Sequence, residues 1–240
     1  MKPARQRSDR LSTTVYNYQE NIMTNQTNNI NNTNHINNTN HINNTNHINH
    51  INQTNHTNHT NHINHINKTA IITGASRGIG AAIAKKLASC GYNLSLCCRN
   101  SSDRLKALAD ELHCAYGIEV LCYTGNVGDF FFAKDMVANT ISHFGHIDVL
   151  INNAGISHIG LLSDMTPEEW NNIVAINLTG VFNFTKLVIP YMVADKCGRI
   201  LQISSVWGNV GASCEVAYSA CKGGINAFTK ALGKELAPSH

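Results

Sequence analysis

A short apolar run, Lys68-Thr-Ala-Ile-Ile-Thr73, passes directly into Gly74-Ala-Ser-Arg-Gly-Ile-Gly80, and then into a run of strong helix formers that Gly91 brings to a stop. Strand, glycine loop and helix in that order open a nucleotide-binding α/β unit. Without side chains, Gly74, Gly78 and Gly80 let the backbone come close to a pyrophosphate, and the helix N-terminus behind them offers free N–H groups and positive potential. A second strand is expected over Tyr92–Cys98. Where a site for a plain ribose diol would carry Asp or Glu at the end of that strand, this chain has Arg99-Asn100, and Arg77 lies inside the loop itself. Two guanidinium forks at that edge suit a 2′-phosphate, which points to NADP(H).

Two compositions are joined in the 240 residues. Residues 68–240 have globular composition and length enough for one domain with a core. Residues 1–67 are polar, and from about Asn25 they repeat Asn, His, Thr and Ile. His35, His41 and His47 recur six apart, then His56, His59, His62 and His65 three apart. A period of three fits neither helix nor strand, Asn disfavours both, and too little apolar surface is present to offset chain entropy, so a disordered tail is expected. Two sharper possibilities for the tail are weak metal binding through the histidines and cross-β self-association. Met23, just before the repeat, is a candidate start.

The net charge of +3 is mild and forms no basic stripe, which argues against nucleic acid. No stretch reads as a membrane span of about 18–20 apolar residues, and no apolar signal core lies near the N-terminus, so a cytoplasmic protein is expected. The eight cysteines all fall in the globular part without a Cys-x-x-Cys pair. They are expected to be reduced and buried, with no metal site.

Further along, an amphipathic helix is expected over Asp103–Leu112, a strand over Glu119–Tyr123, and a buried strand over Gly145–Ile151 that ends in Asn152-Asn153-Ala154-Gly155. Thr166-Pro167-Glu168-Glu169 reads as a helix start, with Thr at the N-cap, Pro at the first helical position and a capping-box Glu. Asn177, deep in the helix that follows, is locally unfavourable. A last strand over Arg199–Ser205 leads to Ser205, with Tyr218 thirteen residues on and Lys222 four beyond that. Residues i and i+4 share a helix face, and a Lys cation near a phenol favours the phenolate. With a Ser hydroxyl to hold the substrate oxygen, these groups can move a proton to or from an alcohol or carbonyl oxygen.

Thr-Gly-x-x-x-Gly-x-Gly at residues 73–80, Asn-Asn-Ala-Gly at 152–155, Asn177, Ser205 and Tyr-x-x-x-Lys at 218–222 occur in one order, and with them the chain from Lys68 to Pro238 resembles the short-chain dehydrogenase/reductase family. Within it, the sequence is most similar to bacterial 3-oxoacyl-acyl-carrier-protein reductases. The segment around Ser205–Ala220 also resembles a subgroup that reduces 5-aminopentanone on modified elongation factor P.

The resemblance implies a three-layer Rossmann fold with a doubly wound parallel sheet. It implies catalytic Asn177, Ser205, Tyr218 and Lys222, with Tyr218 as general acid and Lys222 also on the nicotinamide ribose. Asn177 would link Lys222 to a water relay. Cofactor contacts would come from Gly74, Ser76, Arg77, Gly78, Ile79, Gly80, Arg99, Asn126, Val127, Asn153, Ala154 and Gly155. Ser157, His158, Val206 and Trp207 would wall the pocket. The implied partners are an acyl carrier protein thioester or another small carbonyl compound. The family's further strand and substrate-covering helices would follow His240, so the expectation is a C-terminally truncated product with an exposed sheet edge, inactive or unstable as it stands, and a dimer or tetramer only if completed. A reading of another class is a catalytically silent fragment with a metal-binding or self-associating tail.

Overall fold

The computed structural model describes residues 67–239; the repeat tail, with its candidate histidines and Met23, lies outside them. Five strands form one parallel sheet, in the order β3-β2-β1-β4-β5. They are β1 (Thr69–Ile72), β2 (Asn93–Cys98), β3 (Val120–Thr124), β4 (Val149–Asn152) and β5 (Arg199–Gln202). The helices are α1 (Gly78–Ala88), α2 (Ser102–Tyr116), α3 (Phe130–Phe144), α4 (Pro167–Val174), α5 (Gly180–Ala194), the short α6 (Trp207–Val210) and α7 (Val216–Leu236). A single π-helical turn, Ala175–Thr179, joins α4 to α5.

Strand alternation assigns the layers. Ala70, Ile72, Leu94, Leu96, Val149 and Ile151 point to one face, where Ala84 and Ala88 of α1 and Leu105, Leu108 and Leu112 of α2 cover them. Ile71, Cys97 and Leu150 point to the other, against Ala133, Met136 and Val137 of α3 and Phe184, Val188 and Met192 of α5. Because both faces are covered, the central strands read as near-continuous apolar runs. Chain order turns at β1: β2 and β3 lie to one side, β4 and β5 to the other. In such a doubly wound sheet the crevice outside the strand ends at that point is where ligands bind.

Several expected boundaries move. Gly145 does not begin a strand: at φ 82 it is the left-handed cap of α3, and β4 starts at Val149. The α3 helix was not anticipated at all, although Asp129 caps it through the Phe131 N–H and Gly145 closes it. The Thr166 capping box is present as expected, with both reciprocal hydrogen bonds formed. All eight cysteines are free, but Cys90, Cys114 and Cys197 are exposed, so the expectation of buried thiols holds only for some. The helical run Pro167–Ala194 contains a window of mean hydropathy 1.5, long enough to span a membrane, where no such span was expected. Half of that window is buried within the fold, where Ile176, Phe184 and Val188 are core residues.

Candidate active site

The glycine loop sits on the C-terminal ends of β1 and β2, where Ala75 donates its N–H to the Cys97 carbonyl at 2.9 Å. Two of its glycines are required by close approach. Gly74 has φ +67, and a Cβ there would stand 2.8 Å from the Ala154 Cα. A Cβ on Gly80 would stand 2.3 Å from the Gly74 carbonyl oxygen and 2.6 Å from the Asn153 Nδ2. Asn153 is the stitch at this point: its Nδ2 donates to the carbonyls of Thr73 (3.0 Å) and Gly74 (3.1 Å). In return, the Thr73 hydroxyl accepts the N–H groups of Asn153 and Ala154, both at 3.0 Å. Thr73 stood in the sequence as the end of a strand and the first residue of the glycine motif, with no role of its own assigned to its hydroxyl.

This stitching opens a cleft of about 750 Å³. Gly74, Ser76, Arg77, Gly78, Ile79, Arg99, Asn126, Val127, Asn153, Ala154 and Gly155 line it, so the structure brings together nearly all the residues named as cofactor contacts. Gly80 lies buried behind the loop, while Ile156 and Ile176 are lining residues the sequence did not single out. The first turn of α1 has no side-chain cap and no acidic residue, so its free N–H groups meet the cleft unanswered. Arg77 and Arg99 are exposed and form no ion pair among the described residues. A backbone cradle that a Cβ would fill, an open helix N-terminus and two uncompensated guanidinium groups together fit a phosphorylated dinucleotide.

The second cluster stands where α7 meets the end of β5. Tyr218 and Lys222 are one turn apart on α7, with the Lys222 ammonium 5.5 Å from the centre of the Tyr218 ring. Lys222 is buried and donates to the Ile203 carbonyl at 2.6 Å; burial pulls its pKa below the ordinary lysine value. Ser204 donates to the Lys222 carbonyl at 3.1 Å, tying the β5 end to α7. The Ser205 hydroxyl accepts the Trp207 N–H at 3.3 Å.

Asn177 lies in the π turn, fully buried. Its Oδ1 accepts the Ile156 N–H, and its Nδ2 donates to the carbonyls of Ile156 and Ile173. That side chain therefore holds the segment after Gly155, and π turns recur at functional sites. A Cβ at Gly155 would lie 2.8 Å from the Asn177 Oδ1 and 3.7 Å from the Lys222 Nζ, so Gly155 is where the cleft and the Tyr–Lys pair adjoin.

Of the expected pocket walls, Val206 and Trp207 are exposed beside Ser205. Ser157 donates to the Glu215 carboxylate at 3.0 Å, while His158 turns to Glu169 at 3.9 Å. Glu215, three residues before Tyr218, carried no signal in the sequence. A separate apolar groove of about 300 Å³, lined in part by Met192, Ile200, Leu232 and Leu236, runs along β5 between α5 and α7, and none of these groups lines it.

Comparison with known proteins agrees with this geometry. The short chain dehydrogenase family profile matches residues 68–240. The 3-oxoacyl-[acyl-carrier-protein] reductase FabG of Staphylococcus aureus (strain Mu50) is 40% identical over 170 residues, 71% of this chain and 69% of its own. A 3-oxoacyl-[acyl-carrier-protein] reductase of Synechocystis sp. is 41% identical over 170 residues, 71% of this chain and 68% of its own. Among solved structures, a metagenomic short-chain oxidoreductase in complex with NADP superposes with a TM-score of 0.69 at 35% identity, covering 72% of this chain and 77% of that one. The chain belongs to the short-chain dehydrogenase/reductase family and is an oxidoreductase of that family.

Proposed function

We propose that this protein uses NADPH to reduce a carbonyl to a hydroxyl, converting a 3-oxoacyl thioester on acyl carrier protein to the 3-hydroxyacyl thioester. The observation that carries the reading is the junction at Gly155, where the buried Lys222 ammonium, 5.5 Å from the centre of the Tyr218 ring, stands against the wall of the glycine cleft. When bound there, the cofactor supplies the hydrogen and electron pair that reach the carbonyl carbon. Tyr218 gives its phenolic proton to the carbonyl oxygen, and Ser205 donates a hydrogen bond that holds the oxygen in place. Lys222, fixed by the Ile203 carbonyl, keeps a positive charge beside the phenol as it loses its proton and reaches the nicotinamide ribose. Asn177 fixes the Gly155–Ile156 backbone on which this approach depends. Arg77 and Arg99 hold the 2′-phosphate, and Asn126 and Val127 flank the adenine.

The names of the Staphylococcus and Synechocystis relatives support the thioester substrate, and the NADP in the metagenomic structure supports the cofactor. On this reading the protein works in the cytoplasm as a homo-oligomer. A second substrate is favoured by one observation. Glu215 places a carboxylate at the N-cap of α7, three residues before Tyr218 and held by the Ser157 hydroxyl, which suits a substrate carrying an amine, such as 5-aminopentanone on modified elongation factor P.

The test is oxidation of NADPH with an acetoacetyl thioester and with an amino ketone. Tyr218→Phe is expected to slow reduction about 10²- to 10⁴-fold while NADPH binding is kept; retained turnover removes Tyr218 as the acid. Glu215→Gln is expected to impair only the amino ketone, and equal loss on both substrates removes the second reading.

A further inference from the structure

Arg99 leaves the end of β2 and crosses toward α4, where its Nη1 donates to the Asn172 Oδ1 at 3.5 Å. Arg99 lines the cleft, as does Ile176, four residues after Asn172 and one helical turn along. The contact therefore spans the cleft mouth, between residues 73 apart in sequence. It is long for a hydrogen bond, and both side chains are exposed. Its value is accordingly one of orientation and not of stability. The acceptor is a neutral amide: it takes one of the five guanidinium N–H groups and leaves the positive charge uncompensated. The α4 helix that carries Asn172 is held at its start by the Thr166–Glu169 capping box and Pro167, so the acceptor sits on a fixed support. By contrast, Arg77, the other loop cation, has no such tether given by a hydrogen bond or ion pair in the described residues.

We propose that Asn172 is a positioning residue for cofactor selection: it holds the Arg99 guanidinium across the adenosine end of the cleft, ready for a 2′-phosphate. The proposal rests on the NADP(H) reading above. A carboxylate at residue 172 would hold Arg99 equally well but would take up its charge, competing with the phosphate. A methyl group there would leave the charge and remove the orientation.

The experiment is calorimetric binding of 2′,5′-ADP and of 5′-AMP to the full chain, which differ in the 2′-phosphate. The parent is expected to prefer 2′,5′-ADP. Asn172→Asp is expected to shrink that preference about threefold to tenfold, and Asn172→Ala about twofold, with 5′-AMP affinity unchanged. In an Arg99→Ala background, Asn172→Asp is expected to have no further effect, because its action runs through Arg99. A merely structural role would weaken both ligands together, and that result overturns the proposal. So does an unchanged preference in both Asn172 variants, which leaves the NADP(H) reading standing. A parent with no preference for 2′,5′-ADP overturns both.

Discussion

Strands β2 and β5 lie on opposite sides of the sheet centre and differ in what covers them. All six residues of β2 are buried, between β1 and β3 and beneath helices on both faces. On β5, Arg199 and Leu201 are exposed, Leu201 to 47%, and among the described residues the strand pairs only with β4. The glycine cleft stands on the covered part. The Tyr218–Lys222 pair is tied to residues just beyond β5, through Ile203 and Ser204. Cofactor cradle and proton-transfer groups thus rest on supports of unequal strength. A substitution can damage one with little effect on the other.

The largest contrast is expected from truncating one leucine on each strand. Leu96→Ala, at a fully buried position, is expected to cost about 2–5 kcal/mol of stability. Leu201→Ala is expected to cost under about 1 kcal/mol, since much of that side chain already meets solvent. Urea unfolding of both variants checks this, and equal costs would break the comparison.

Alkaline pH is expected to separate the two ends by sign. Burial pushes the Cys97 and Cys122 thiols up from 9.0 to about 12. Between those values the folded chain holds protons that the unfolded chain has released, so stability falls as pH rises through that window. Lys222 acts oppositely. Burial lowers its pKa from 10.5, the folded chain releases that proton first, and rising pH below 10.5 relieves a cost. Cys97→Ala should therefore flatten the alkaline decline in unfolding free energy and Lys222→Met should steepen it. Identical slopes in the two variants would remove the distinction.

The smallest effect concerns the loop that leads into α7. Cys214 adopts φ 60, the left-handed region that favours glycine, while its carbonyl accepts the Gly160 N–H at 2.9 Å. Cys214→Gly relieves about 1–2 kcal/mol of strain and gives back part of it through the freer unfolded chain. A net gain of about 0.5–1 kcal/mol is expected in the same urea measurement. A loss would show that the Cys214 side chain contributes more by packing than its backbone costs.

What the sequence determined was local. The glycine loop was legible because strand, tight turn and helix follow one another within a few residues. The Tyr218–Lys222 pair was legible because i and i+4 must share a helix face, and the Thr166 box because both partners lie in one turn. The free charge of Arg77 and Arg99 could be read from residue type and place.

What the tertiary structure decided involved partners far apart in the chain. The Thr73–Asn153 stitch spans 80 residues, and the Arg99–Asn172 contact 73. Asn177 looked like an unfavourable helix residue because its three hydrogen bonds are set by a π turn and by the loop that follows β4, 21 residues earlier in the chain. The α3 helix was overlooked because its apolar start, Phe130-Phe131-Phe132, lacks a clean amphipathic period; packing of Ala133, Met136 and Val137 on the sheet selects its buried face. Local geometry restricts what each segment can be, but only the closing of distant segments on one another determines which polar groups meet, and it is those meetings that make the cleft a site.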